Sequence, residues 1–369
     1  MKQSELRIGF IGVGGIANGK HLPGLSKVKQ AKIVAFCDIV KERAEAGAAK
    51  YGVPGATVYT DAEKMLATEK LDVVHICTPN DSHAKYAIAA LEAGCHVMSE
   101  KPMANNAADA RRMVETAKRV GKILTVGYQS RYRPDTQLLK KMAEKGEFGD
   151  IYYAKALAIR RRAVPTWGVF LNKTIQGGGP LIDIGTHALD LTLWLMNNYE
   201  PEYVVGSAYY KLGKRKNAVN AWGPWDPAKF EVEDSAFGFI KMKNGATVSL
   251  ESSWALNTLI VGEATCILCG TEAGADMMDG LRINGEKLGR LYTQKIETDG
   301  TGVAYYDAEG ESAGDFESRQ WIEAILKGTT PSVKMEQALA VSEILDAIYV
   351  SSETGKPVYF DKERELVGV

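Results

Sequence analysis

The stretch "GGGPLIDIGTHALD", Gly177 to Asp190, places three glycines before an apolar run that carries Asp183, His187 and Asp190. Carboxylates and imidazoles in an apolar run are costly to desolvate unless they are paired or employed. Asp183 and His187 stand four residues apart, so on a helix they share a face with Cβ atoms about 5–6 Å apart. An imidazole that titrates near neutrality suits removal of an alcohol proton, and a neighbouring carboxylate can orient the substrate or tune the base. Two other readings compete. A metal site would need further ligands, and the remaining histidines (His21, His75, His83, His96) all lie early in the chain. An Asp cap followed by a helix histidine would be purely structural. Cys266 and Cys269 form one Cys-x-x-Cys, but inside a strand they point to opposite faces and no second pair completes a zinc site. No metal is expected.

A second set of residues points to a nucleotide. "GFIGVGGIA" supplies Gly12, Gly14 and Ala17 in the spacing G-x-G-x-x-G/A, between a strand and a helix. Gly12 allows the tight turn, Gly14 lets backbone approach a pyrophosphate, and Ala17 permits close helix–sheet packing. The helix N-terminus then stabilises the phosphate charge. "AFCD" ends the next strand at Asp38, at the spacing of a carboxylate that binds the adenosine ribose. An acidic residue there repels a 2′-phosphate, so NAD is expected and NADP disfavoured, although Lys41 and Arg43 stand close by. Gly15 and Ile16 complete the cofactor-facing turn. Two later strands end in "CTPND" and "SEKP", and ligands sit beyond the carboxyl ends of such strands. Thr78, Pro79, Asn80, His83, Glu100 and Lys101 are therefore placed at the cofactor, as is Pro102; the bland alternative for "EKP" is an exposed charged turn.

The elements that must position these residues change character near residue 128. Residues 1–127 alternate continuous apolar runs, "LRIGFIGVG", "AKIVAFCD", "DVVHICTP", "CHVMSEKP" and "KILTVGY", with helices closed by Gly52, Gly94 and Gly121. This is the pattern of an α/β, doubly wound parallel Rossmann sheet covered on both faces. Residues 128–369 carry longer, partly alternating strands, with a hairpin signal at Lys243 to Gly245 and two late helices. A C-terminal α/β domain on a large, mostly antiparallel open sheet is expected. Its longest irregular loop, "LGKRKNAVNAWGPWDPAKFEVED", is rich in Trp and Pro; Trp222 and Trp225 fit either a stacking platform for a sugar or its aglycone or a subunit interface.

Composition removes other classes. The chain has 369 residues, 45% apolar and 25% charged, with net charge −1, so nucleic acid is not an expected partner. The opening "MKQSELRIGFIGVGG" reads as a strand entering a turn, not as a signal peptide, and no apolar run is long enough to span a membrane. Five cysteines, odd in number and mostly inside apolar runs, fit reduced thiols in the cytoplasm.

The ordered set "GVGGIA", "CTPNDSH", "EKP" and "GGGPLIDIGTHALD" resembles the Gfo/Idh/MocA family of sugar and inositol oxidoreductases over nearly the whole chain. The resemblance implies a nicotinamide cofactor, sometimes retained through the cycle, and a dimer or tetramer joined through the open sheet. It implies that Lys101 contacts substrate beside the nicotinamide and that Asp183 and His187 are the family's D-x-G-x-H pair. Gln129 stands where many members have Asn. Trp167 is implied to cover the nicotinamide, and Tyr128 and Arg160 to reach the substrate. "RRRAVPTWGVF" and "EVEDSAFGFIKMKNGATVSLESSWALN" are similar to members acting on sugars or glycosides, including oxidation of the glucosyl 3-hydroxyl.

The expected activity is NAD-dependent oxidation of a ring hydroxyl, with His187 as base, Lys101 polarising the oxygen and Asp183 orienting it; the sequence fits the exchanged roles of Lys101 and His187 equally well. Inositol dehydrogenation and redox-neutral glycoside cleavage are the alternatives. A nucleotide-sensing binding protein would need none of Lys101, Asp183 and His187. Asp190 is expected to be structural.

Overall fold

The computed structural model describes residues 5–298 and 311–360; Met1 to Ser4 of the opening segment lie outside them. The chain divides into two compact units, Met1–Tyr132 with Glu309–Leu339, and Arg133–Ala308 with Ala340–Val369.

In the first unit the apolar runs become parallel strands: β1 (Leu6–Ile11), β2 (Ala31–Cys37), β3 (Thr57–Tyr59), β4 (Val73–Ile76), β5 (His96–Ser99) and β6 (Leu124–Val126). Their order is β3-β2-β1-β4-β5-β6, so the direction of winding reverses between β1 and β4. The ends of these two strands carry Gly12 and, one residue beyond Cys77, Thr78, which puts both sequence motifs at the switch point. β3 is a strand that the apolar pattern does not announce. It is three residues long, at the sheet edge, and no residue of it is fully buried.

Gly121 ends the helix Ala107–Val120 in the left-handed conformation, at φ 65°. Gly52 ends Lys41–Tyr51 differently, in an extended conformation at φ −71°. Packing explains that glycine: a Cβ there would lie 2.6 Å from the Ala48 carbonyl oxygen and 2.7 Å from the Ala56 Cβ. A returning helix, Ala313–Lys327, completes this unit. Its Trp321 and Ile322 are buried with Leu6, Ile8, Phe10, Leu22 and Leu25, and each such side chain contributes about 1.5–3 kcal/mol.

The second unit is built on nine strands: β7 (Ile151–Ile159), β8 (Pro201–Tyr209), β9 (Ser235–Met242), β10 (Thr247–Ser253), β11 (Gly262–Gly270), β12 (Ala273–Asp276), β13 (Leu281–Lys287), β14 (Arg290–Ile296) and β15 (Val358–Tyr359). Among the described strands only β7 and β10 pair in parallel, and every other strand pairing is antiparallel. β9 and β10 form the hairpin signalled by "KNG", with Gly245 at φ 90°. The helix Thr186–Met196 lies against β7 and β11, and its residues from Thr186 to Leu195 are all buried. Among the described residues no helix is long and apolar enough to cross a membrane.

Candidate active site

The glycine turn is assembled around one carboxylate. Asp38 Oδ2 accepts the N–H of Val13 at 2.8 Å, and its Oδ1 accepts that of Val40 at 2.9 Å. Gly12 sits at φ 88°, and a Cβ on it would lie 2.6 Å from the Cys77 carbonyl. Only glycine tolerates both the left-handed backbone and that approach. By contrast, a Cβ on Gly14 or Gly15 would meet nothing within 4 Å, and Ile16 is exposed. Ala17 is fully buried, as helix–sheet packing requires. Asn18 was not anticipated: its amide donates to the carbonyls of Val13 at 2.8 Å and Gly14 at 3.0 Å, bracing the turn. The helical run begins with a π-turn, Ala17–His21, just before Pro23 in Leu22–Ser26. Proline supplies no N–H to an ordinary α-helical turn, and a π-turn is one way to accommodate that gap.

Thr78 and Pro79 precede the helix Asn80–Glu92, and the Ser82 hydroxyl bonds to Thr78 Oγ1 and to the Pro79 carbonyl, both at 2.8 Å. His83 is buried, with Nδ1 2.8 Å from the Pro102 carbonyl oxygen and Nε2 2.9 Å from that of Thr78. Burial lowers its pKa, and a neutral ring donates to one of these carbonyls at a time. The side chain placed by sequence at the cofactor is thus a tie between the "CTPN" and "EKP" segments.

Glu100 turns inward in the same way. Its Oε1 lies 3.0 Å from Lys20 Nζ and 2.7 Å from His21 Nε2, while Oε2 accepts the Lys101 N–H at 3.0 Å. Lys20 also pairs with Glu317 of the returning helix at 2.8 Å. His75 packs against Phe10 and edge-on to His21. Burial opposes ionisation of Glu100, but Lys20, His21 and Lys101 outweigh it and hold its carboxyl well below the usual range. Burial likewise opposes charge on Lys20, and the two glutamates reverse that and raise its pKa. His75, pushed down by burial and by the neighbouring His21 and Lys20, is neutral. Lys101, next to this cluster, is partly exposed, Pro102 is buried, and the peptide between them is cis. Gln129 is exposed at the start of a short 3-10 turn, whereas Tyr128 is fully buried.

In the second unit, Gly178 and Gly179 make room for two partners. A Cβ on Gly178 would lie 2.0 Å from the Tyr349 hydroxyl, and one on Gly179 2.1 Å from the Glu233 carbonyl oxygen. Glu233, buried and unforeseen, accepts the N–H groups of Gly179 at 2.8 Å and Leu181 at 3.1 Å, and the Tyr349 hydroxyl at 2.9 Å. The two N–H groups are orphan donors at a helix start. The helix itself differs from the expected single α-helix. Leu181–Gly185 is a π-turn that runs directly into Thr186–Met196, so Asp183 lies on the π-turn and His187 on the α-helix. Such bulges recur at functional sites. Asp183 and His187 retain slight exposure, 6% and 9%, while Asp190 has none.

Asp183 is held by two further residues. Trp254 Nε1 donates to its Oδ2 at 3.1 Å, and Arg160 Nη1 lies 4.0 Å from the same atom. The fork of Arg160 is occupied by Glu263, at 2.6 Å and 2.5 Å. Arg160, expected to reach the substrate, therefore spends its Nε and Nη2 on Glu263, and its guanidinium lies over Trp222 at 5.1 Å. Trp167 is exposed and contacts Trp222 and Phe170 edge-on. Trp225 has the opposite fate: it is buried against Phe230 and donates to the Gly213 carbonyl at 2.9 Å.

All five cysteines are free thiols. Burial pushes Cys37 and Cys95 up to about 11 and Cys266 up to about 12, which keeps them protonated and unreactive. Among the described residues no group of three His, Cys, Asp or Glu converges as a metal site.

Two family profiles cover most of the chain. The Gfo/Idh/MocA oxidoreductase family, NAD-binding Rossmann fold, matches residues 6–128, and its C-terminal α/β domain matches 140–360. D-glucoside 3-dehydrogenase of Escherichia coli (strain K12) is 38% identical over 362 residues, 97% of this chain and 98% of that protein. Glucose-6-phosphate 3-dehydrogenase of Bacillus subtilis (strain 168) is 32% identical over 252 residues, 67% of each chain. A solved levoglucosan dehydrogenase, in complex with NADH and L-sorbose, superposes with a TM-score of 0.80 at 25% identity, covering 96% of this chain and 99% of that one.

Proposed function

Because the chain belongs to the Gfo/Idh/MocA oxidoreductase family, we propose that it oxidises a ring hydroxyl of a sugar or glycoside, C3 of a glucosyl unit, to the ketone with NAD. The observation that carries the substrate is the 38% identity to a D-glucoside 3-dehydrogenase along nearly the full length of both proteins.

The residues present fit the cofactor. The open space over Gly14 and Gly15 admits a pyrophosphate to the backbone of the turn. Asp38 uses one lone pair of each oxygen on the turn, and a carboxylate has about four acceptor sites, so capacity remains for ribose hydroxyls. Lys41 is engaged with Glu45 at 2.8 Å, which leaves it less suited to a 2′-phosphate and supports NAD over NADP. Gly12 to Ala17, Asp38 and Thr78 to Asn80 would hold NAD, with Gln129 beside the nicotinamide. When bound, NAD supplies the acceptor for the ring hydrogen and its electron pair.

The chain's own residues handle the proton. His187 takes the hydroxyl proton at an imidazole nitrogen. Lys101 Nζ donates a hydrogen bond to the same oxygen and stabilises its alkoxide character. Asp183, held by Trp254 and Arg160, orients the sugar.

In this reading the first unit, Met1–Tyr132 with Glu309–Leu339, binds NAD, and the second binds substrate and mediates self-association; the returning helix thus goes with the cofactor unit, although the expected boundary left it in 128–369. Exposed aromatic and branched residues on the nine-stranded sheet (Tyr152, Val205, Tyr209, Phe239, Tyr359) favour a homodimer or tetramer through that sheet. Protonated free thiols are in keeping with a cytoplasmic protein.

A panel of glucosides, free sugars and inositols with NAD, followed by NADH absorbance and product mass, tests the reading. NADH together with a 3-keto glycoside is expected. Turnover of inositols alone would replace it with inositol dehydrogenation, and aglycone release without NADH with redox-neutral cleavage.

A further inference from the structure

Six side chains of the second unit, Asp183 among them, close a ring of pairwise contacts. Trp254 donates to Asp183, and Asp183 faces Arg160 at 4.0 Å. The Arg160 guanidinium lies over Trp222 at 5.1 Å, and Trp222 meets Trp167 at 5.1 Å and 71°. Trp167 meets Phe170 at 5.9 Å, and Phe170 returns to Trp254 at 6.3 Å. Exposure rises around this ring from 0% at Trp254 to 43% at Trp222 and 52% at Trp167. One arc is therefore buried at the carboxylate, and the opposite arc shows two indoles to solvent.

The exposed arc is rigidly mounted. The Asn220 side chain accepts the Val164 N–H at 2.8 Å and donates to the carbonyls of Val164 and Gly223. Ala221 N donates to the Arg162 carbonyl at 3.0 Å, and the Thr166 hydroxyl donates to the Trp222 carbonyl at 2.8 Å. At the base of the same loop, Asp234 accepts the Gly213 N–H at 2.8 Å. Two large indoles left wet on a backbone fixed this firmly lose little entropy on binding a flat partner.

We propose that Trp167 and Trp222 form a stacking subsite for the group attached to the anomeric carbon of the substrate: the aryl aglycone, or the neighbouring sugar ring, of a glucoside. The inference rests on the reading of Asp183 as a substrate-orienting group. Both sources present the same chemistry, an apolar flat face that covers an indole. Oxidation at C3 leaves the anomeric substituent in place, so a glucoside brings that face with it and free glucose does not. Trp167, expected from the sequence over the nicotinamide, is assigned to the substrate instead.

The test compares kcat/KM for an aryl glucoside, a glucosyl disaccharide and free glucose in the wild type and in Trp222→Ala, Trp222→Phe and Trp167→Ala. The subsite predicts that the glycoside-to-glucose ratio falls about tenfold in both alanine variants, through KM, and is largely restored by Trp222→Phe. A larger loss with the aryl glucoside identifies an aglycone; a larger loss with the disaccharide identifies a second sugar. An unchanged ratio overturns the proposal. Two forms of that result are informative: a KM for NAD raised equally with every substrate makes Trp167 a nicotinamide cover, and an altered native mass makes the indoles an interface. If the wild type turns over no glucosyl substrate, the parent reading has failed, and this is seen before any variant is made.

Discussion

The carboxylate of Glu100 accepts the main-chain N–H of Lys101 at 3.0 Å, while its other oxygen is shared by Lys20 and His21. The residue proposed to polarise the substrate is thus set by a buried ion cluster that reaches Glu317 on the returning helix. Glu100→Ala leaves Lys20 buried beside a single carboxylate, and loss of one member of a buried pair costs about 3–5 kcal/mol. Urea unfolding should show a loss of that order. Glu100→Gln, which keeps the shape, should lose less.

The pH signatures of two buried glutamates should be opposite. Glu100 has a folded pKa held below its ordinary 4.5, so the unfolded chain takes up its proton first. Its contribution is complete above pH 4.5 and is lost as pH falls toward the depressed value. Glu233, raised by burial against its hydrogen bonds to Gly179, Tyr349 and Leu181, contributes most below 4.5 and loses that contribution as pH rises through its folded value. Unfolding free energies across pH 3–8 should therefore show Glu100→Gln flattening the acid limb, with Glu233→Gln costing less at the alkaline end than at the acid end. Parallel profiles for the two variants would contradict the assignments.

Glu233→Ala tests the cap directly. It removes the acceptor for two helix-start N–H groups and a tyrosine hydroxyl, and each stranded buried donor costs about 1–3 kcal/mol. Since that helix carries Asp183 and His187, kcat should fall along with stability. A variant that stays fully stable would remove Glu233 from the role.

Gly12 and Gly14 should separate folding from cofactor binding. Gly12→Ala meets the Cys77 carbonyl and a left-handed backbone, so it should destabilise the protein by more than about 1 kcal/mol. Gly14→Ala meets nothing, and its stability should stay within about 0.5 kcal/mol of wild type. NAD affinity should nonetheless fall in Gly14→Ala, read by titration calorimetry. Unaltered affinity there would take the pyrophosphate away from this turn.

Lys101→Met and His187→Ala should each lower kcat by about 100-fold or more, the usual worth of a positioned acid or base. The pH profile should tell them apart, because the variant that loses the base loses the acid limb of kcat/KM. If both keep wild-type turnover on the true substrate, the proton chemistry lies elsewhere.

Much of this was legible in the chain because it rests on local rules. Strands covered on both faces must be continuous apolar runs, and the glycine turn and Asp38 stand at a fixed spacing at the ends of two consecutive strands. What was not legible depends on distant partners. Trp222 and Trp225 are the same residue type in one loop, and only the Gly213 carbonyl and Phe230 decide that Trp225 is buried. Glu100 and His83 read as crevice residues because their strands end there; their side chains turn away because Lys20, His21 and the Pro102 carbonyl offer partners from other segments. Glu233 lies in an irregular stretch whose resemblance names no role for it, and the role emerges only once Gly179 is placed against it. The π-turn at Leu181–Gly185 has no periodicity of its own in so short a segment.

Hydride transfer from C3 is the central claim, and isotopic labelling tests it most directly. A methyl glucoside carrying deuterium only at C3 would be turned over with NAD, and both products analysed by mass. The account predicts deuterium on the reduced nicotinamide and an unlabelled 3-keto glucoside. Reduced cofactor without label, beside a sugar that keeps its deuterium, would contradict it.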